Sequence, residues 1–163
     1  MLTVTSRTNP GTVRPINEDS AMWEPDIAMI AVADGMGGHN AGEVASQLAL
    51  DTIRAFLKKR ATADDFTWPF GVNPGLSFAA NRLMTSIKIA NRRVYRESEE
   101  RTEYAGMGTT IVAAIAEGTN LAFCGVGDSR IYSFDGAELR QLTKDDSFVV
   151  MLMKESGLDS AAF

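Results

Sequence analysis

The hydrophobic spacing along the chain changes period several times, and each change marks an element. Residues 2–8, LTVTSRT, alternate and are rich in β-branched side chains, which predicts a strand, and NPGT at 9–12 predicts a turn. Residues 20–24 predict a short strand. IAMIAVA at 27–33 is a continuous apolar run bounded by Asp26 and Asp34, the pattern of a strand buried on both faces. Beyond the glycines that follow it, Ala45, Leu48, Ala49, Thr52, Ile53 and Phe56 recur at intervals of three and four. That spacing predicts an amphipathic helix over 41–60, with KKR at 58–60 at the end where the helix dipole favours cations. A proline-containing loop covers 62–75, and Ala80, Leu83, Ile87, Ala90 and Val94 stripe a second helix over 76–98. Strand periods then return. Residues 109–116 and 120–126 flank EGT, RIYSF and ELRQL flank the DG of 135–136, and both read as hairpins. Residues 147–156 are expected to begin another helix.

Strands first, then two long helices, then hairpins: that order predicts an α+β fold with antiparallel sheet and segregated helices, not alternating βαβ units. No repeat or composition shift divides the chain, so residues 1–163 are expected to form one domain.

Composition adds exclusions. Apolar residues make up 45% and charged residues 23%, ordinary for a globular chain. The formal net charge is −5 with no basic block, so no nucleic-acid partner is expected. No apolar stretch approaches the length of a membrane span or a signal peptide core. The lone cysteine, Cys124, lies in the apolar run LAFCGV and is expected to be a buried packing residue in a reducing, cytoplasmic setting.

The stretch VADGMGGHNAGEVAS at 32–46 carries the candidate chemistry. A dinucleotide fingerprint needs G-x-G-x-x-G between strand and helix. Counting from Gly35 the third glycine falls on Asn40, and counting from Gly37 the second falls on His39, so that reading fails. No Gly-Lys-Ser/Thr occurs, which removes a P-loop, and Met36 stands where an Asp-x-Asp phosphatase needs its second aspartate. A hard divalent cation fits better: Asp34 ends a rigid strand, and Gly35 offers a carbonyl with no side chain in the way. The bland alternative is a strand-to-helix turn with a solvated aspartate.

Other acids favour the metal. RPINED at 14–19 places Glu18 and Asp19 just before a strand, and GVGDSR at 125–130 places Asp128 at the end of another. Acids gathered at strand ends are what a two-metal site draws from a sheet. Arg14 supplies a forked donor for phosphate oxygens.

RPINED, DGMGGH, GMGTT (106–110) and GDSR, in that order and rough spacing, resemble the metal-dependent PPM, or protein phosphatase 2C, serine/threonine phosphatases, bacterial branch. The resemblance runs from about residue 3 to 150. It implies a β-sandwich of two antiparallel sheets flanked by helix pairs. It also implies that Asp34 bridges two Mn²⁺ or Mg²⁺ ions and that Gly35 gives its carbonyl. Glu18 and Asp19 would bind a metal directly or through its waters, and Asp128 would hold a third, weaker ion. Arg14 would bind the phosphate. The implied reaction is direct attack of an activated water on a phosphoserine or phosphothreonine ester of a protein, in opposition to a serine/threonine kinase.

Three departures shape the expectations. Met36 stands where eukaryotic relatives carry a histidine proposed as general acid, and His39, the only histidine, is expected to be structural. In LTKDDS, Asp146 replaces a usual histidine. The resemblance also implies two further aspartate ligands beyond position 163. The chain therefore reads as the N-terminal two-thirds of such a domain, weakly active or inactive alone, with exposed sheet edges that invite a homodimer or strand exchange. The alternative is a non-catalytic phosphatase-like module that binds through the same groove.

Overall fold

The computed structural model describes residues 2–38, 41–59 and 68–146. Strand β1 (Asp19–Glu24) pairs antiparallel with β2 (Met29–Met36), Asp19 opposite Asp34 and Glu24 opposite Met29. Helices α1 (Ala41–Leu57) and α2 (Phe78–Glu100) follow. The short β3 (Gly108–Thr109) pairs with the end of β2, and β4 (Ile111–Glu117) pairs with its middle. Strand β5 (Asn120–Val126) completes the sheet in the order β1-β2-β4-β5, and β6 (Tyr132–Phe134) with β7 (Leu139–Gln141) forms a separate hairpin.

The core lies between one face of the sheet and the two helices. Met29, Ala31 and Ala33 of β2 meet Ala45, Ala49, Leu50 and Ile53 of α1 and Leu83, Ile87 and Ala90 of α2. Small residues on both sides let the helices sit close to the strands. Lys58, just past α1, pairs with the largely buried Glu24 carboxylate at 2.9 Å and ties the helix end to β1. Arg82 of α2 donates to the carbonyl of Leu57, satisfying a terminal carbonyl that α1 leaves open. Buried Asn81 bonds the backbone of Asn73, Leu76 and Ser77, and so shapes the entry to α2, which Ser77 caps.

Several expectations change. Residues 2–8 form no strand: β-branched alternation fits a pleated surface only where a partner edge is offered, and none of the described strands pairs with this segment. It lies instead beside the second face of the sheet, where Val4, Thr5 and Ser6 flank Trp23, Ile30 and Val32. Strand β2 starts two residues later than the apolar run, after a 3-10 turn at Pro25–Ile27 that closes on Ala28 at φ 46°. It is not buried on both faces, because the helices cover only one. Its residues alternate, and Ile30 and Val32 remain 40% and 44% exposed. The helices end and begin within three residues of the expected bounds. Cys124 is half-buried against the core, and burial pushes its thiol up. The expected helix at 147–156 lies outside the described residues. Of the two antiparallel sheets expected, the described residues form one five-stranded helix-backed sheet and a separate two-stranded one, β6–β7. No described helix is long and apolar enough to cross a membrane.

Ile53 is fully buried between sheet and helices. Ile53→Ala is expected to cost about 2–5 kcal/mol of unfolding free energy, as for other buried aliphatic truncations, read as a lower urea midpoint with the slope unchanged.

Candidate active site

The site begins with a close approach of backbones. A Cβ on Gly35 would stand 2.0 Å from the carbonyl oxygen of Gly42 and 2.7 Å from that of Glu18. The end of β2 therefore lies directly on the first turn of α1, a spacing that only a bare backbone permits. The Gly35 N–H donates to the Glu18 carbonyl at 3.2 Å, and the buried Ser46 hydroxyl of α1 donates to that same oxygen at 2.7 Å. One carbonyl thus joins the start of β1, the end of β2 and α1. Ser20 extends the link, its hydroxyl 3.0 Å from that of Ser46.

Asp34 is held from the other side by GMGTT. Its N–H donates to Thr110 Oγ1 at 3.3 Å, and its carbonyl accepts from the Thr110 N–H and from Thr109 Oγ1, both at 2.9 Å. Thr110 Oγ1 is also 2.6 Å from Ser129 Oγ, which brings the turn carrying Asp128 to the same place. That turn is fastened further by Arg130, whose guanidinium forks onto Asp145 with contacts of 2.7–3.1 Å, and by the Asp146 N–H, which donates to the Gly127 carbonyl at 2.8 Å.

The electrostatics follow from this framework. Burial first, then the negative charge of Asp19 across the ladder, hold the Asp34 carboxyl above the usual aspartate value. Arg14 pulls it down, Asp128 pushes it up, and a hydrogen bond with Asp19 favours the protonated form. Asp19, Arg14 and Asp128, drawn from RPINED and GDSR, therefore all act on Asp34 of the glycine turn. Arg14 lies exposed in the loop before β1, and among the described residues it makes no hydrogen bond or ion pair. Glu18 behaves differently: its carboxylate lies against Gly42 in the first turn of α1, where the helix dipole favours an anion, and it is not among the charges acting on Asp34. Met36 is exposed and covers Gly108. His39 lies outside the described residues.

Carboxylates and a backbone carbonyl are donors for a hard cation, and two aspartates facing each other store a repulsion that a divalent ion would relieve. In kind, these residues fit Mg²⁺ or Mn²⁺. In number they are sparse: among the described residues no group of three or more acidic, histidine or cysteine side chains is close enough to hold an ion. The residues that build the frame, Ser46, Gly42, Thr109, Thr110 and Ser129, were not singled out from the sequence. Each lies inside a motif noted above, Gly42 and Ser46 in residues 32–46, Thr109 and Thr110 in GMGTT, and Ser129 in GDSR, but its role stayed hidden, because a hydroxyl-to-backbone bond across 75 positions has no periodicity to betray it.

The helix-backed antiparallel sheet with opposed aspartates beside a glycine turn fits the protein phosphatase 2C class whose motifs the sequence resembles. Residues 16–151 match the family model described as protein phosphatase 2C, and the chain belongs to that family. It is 37% identical over 155 residues to the serine/threonine protein phosphatase PstP of Mycobacterium tuberculosis, an alignment that takes in 95% of this chain and 27% of PstP. It is 36% identical to the serine/threonine phosphatase stp of Listeria monocytogenes, covering 91% of this chain and 56% of that protein. The crystal structure of the PstP catalytic domain in complex with two manganese ions superposes with a TM-score of 0.72 at 34% identity, over 96% of this chain and 61% of the other. Stp1 of Staphylococcus aureus gives 0.73 at 31% identity, over 95% and 58%. The chain therefore spans a little over half the length of most of these relatives, and about a quarter of PstP.

The Gly35–Gly42 contact predicts an asymmetry. Gly35→Ala drives a methyl into fixed backbone and should destabilise by at least the roughly 1–3 kcal/mol of ordinary overpacking. Gly42→Ala meets the movable Glu18 carboxylate and, at 2.9 Å, only one fixed atom, the Gly35 carbonyl carbon, so its net loss should be smaller. Paired urea melts rank the two.

Proposed function

We propose that the chain carries the metal- and phosphate-binding part of a phosphoprotein phosphatase that hydrolyses phosphoserine and phosphothreonine esters. The observation that carries the reading is the register of Asp19 opposite Asp34, with Asp34 pushed above its ordinary value by burial and by that neighbour. Asp34, Asp19 and the Gly35 carbonyl are the groups that would hold a divalent ion, with Asp128 and Glu18 as outlying carboxylates. The chemistry such an ion supplies is charge neutralisation at the phosphoryl group and a water made nucleophilic near neutral pH. The chain's own residues do the rest. Arg14, with no hydrogen bond or ion pair among the described residues, would offer its fork to the phosphate oxygens and orient the ester. Thr109 and Thr110 fix the Asp34 backbone, so the carboxylate is preorganised. Substrates would be phosphorylated proteins, which the opposing serine/threonine kinase supplies.

The sparse donor set favours a second reading, a phosphatase-like module that binds phosphoproteins without turnover. Hydrolysis of an aryl phosphate and of a phosphothreonine peptide, with and without Mn²⁺, separates the two. The phosphatase reading expects metal-dependent turnover that EDTA abolishes and that Asp34→Asn lowers by about 100-fold or more, beyond what loss of a supporting group costs. Turnover indifferent to chelation would sink it. Phosphopeptide binding with no turnover at any metal concentration would leave the module.

A further inference from the structure

A cavity of about 520 Å³ opens between α2 and the end of the sheet, within the range of ligand pockets. Its floor is apolar, formed by buried residues that include Ala49, Ile87, Ala90 and Ile111. Its mouth is ringed by Met36 and Tyr95, each 63% exposed, and by Val126. Large apolar side chains left in water around a concavity mark a contact surface more often than chance.

The charges at the rim narrow the occupant. Lys88 and Arg92 stand one turn apart on α2 and both lie over the ring of Phe70, the Lys88 Nζ 5.5 Å and the Arg92 guanidinium 4.3 Å from its centre. Among the described residues neither has a carboxylate partner, although acids outnumber bases 21 to 16 in the chain. Two cations held in place on an aromatic ring, with no acid to meet, are complementary to an acid brought from outside. The cavity also adjoins the candidate active site. Met36 and Thr109 line it, Thr109 holds the Asp34 carbonyl, and Met36 is two residues beyond Asp34 on the same strand, about 7 Å at strand rise.

We propose that this cavity docks an acidic, apolar segment of the phosphoprotein substrate: an aliphatic or aromatic side chain fills the space, and a neighbouring carboxylate pairs with Lys88 and Arg92. The proposal rests on the phosphatase reading for its substrate but not for its binding. The adjacency lets one polypeptide reach both places, so the cavity would select which phosphorylated residues are presented to Asp34 and Arg14.

The test uses the 163-residue chain and a fluorescent, unphosphorylated peptide of glutamate around a single leucine. Anisotropy should show saturable binding that Lys88→Glu with Arg92→Glu weakens by about tenfold or more. Arg96→Glu, on the same helix but outside the cavity lining, should leave binding unchanged, and circular dichroism should show all variants folded. With a phosphothreonine peptide carrying the same tail, the double variant should raise KM and leave kcat and aryl phosphate turnover alone. Undiminished peptide binding in the double variant overturns the proposal, as does an equal loss in Arg96→Glu. Self-association of the chain that the double variant abolishes also overturns it, by showing that a second copy fills the cavity. Loss of peptide binding in the double variant, in a chain that turns over no phosphate ester, upholds the docking site and removes the phosphatase reading.

Discussion

The contact between Gly35 and Gly42 is the constraint on which the site depends. A strand end and a helix start approach so closely that neither backbone tolerates a side chain there without displacement. This contact sets where β2 stops and α1 begins, and so where Asp34 stands. The Glu18 carbonyl, taking bonds from Gly35 and Ser46, fixes β1 against the same corner. Register then follows: with Glu18 beside Gly35, Asp19 falls opposite Asp34.

That register is unfavourable in itself. Like charges directly opposite on neighbouring strands destabilise a sheet, and Asp19 adds to the upward displacement that partial burial already gives Asp34. Nothing in the packing requires acids at these two places, since both side chains reach solvent, Asp34 only in part shielded by its surroundings. The hydroxyls of Thr109 and Thr110 hold the backbone of Asp34, so the aspartate cannot relax away by fraying the strand end. A sheet that builds in such a repulsion and then braces it offers the carboxylate pair that the proposed cation site requires.

Much of this was legible in the sequence, for identifiable reasons. The helices showed because burial on one face imposes a three-four period, and α1 and α2 do bury that stripe. The hairpins showed because turn residues separate runs of strand period. Asp34 and Asp128 showed because each ends an apolar run. Residues 2–8 misled because alternation reports a half-buried surface, not a hydrogen-bonded partner, and the segment meets the sheet face without pairing. The double burial expected for β2 misled because Val32 and Ile30 are apolar yet lie on the face that the helices do not reach. Glu18 and Asp19 are adjacent in sequence, but Glu18, just before β1, lies against the helix while Asp19 faces Asp34 across the ladder.

The same alternation explains how one strand serves both the core and the site. Along β2 the odd positions, Met29, Ala31, Ala33 and Gly35, face the helices and shrink toward the end, from a full side chain to none. That taper lets α1 close onto the strand at Gly35. The even positions, Ile30, Val32 and Asp34, face the other way and change from apolar to acidic over the same length. One gradient draws the helix in and the other brings the carboxylate out, so the helix contact and the charge meet at the same end of the strand. A one-residue slip would exchange the two sets, burying Asp34 under α1 without a partner and pressing Val32 into a space shaped for alanine. The core thus fixes the register to a single residue, and the register delivers the acid to the site.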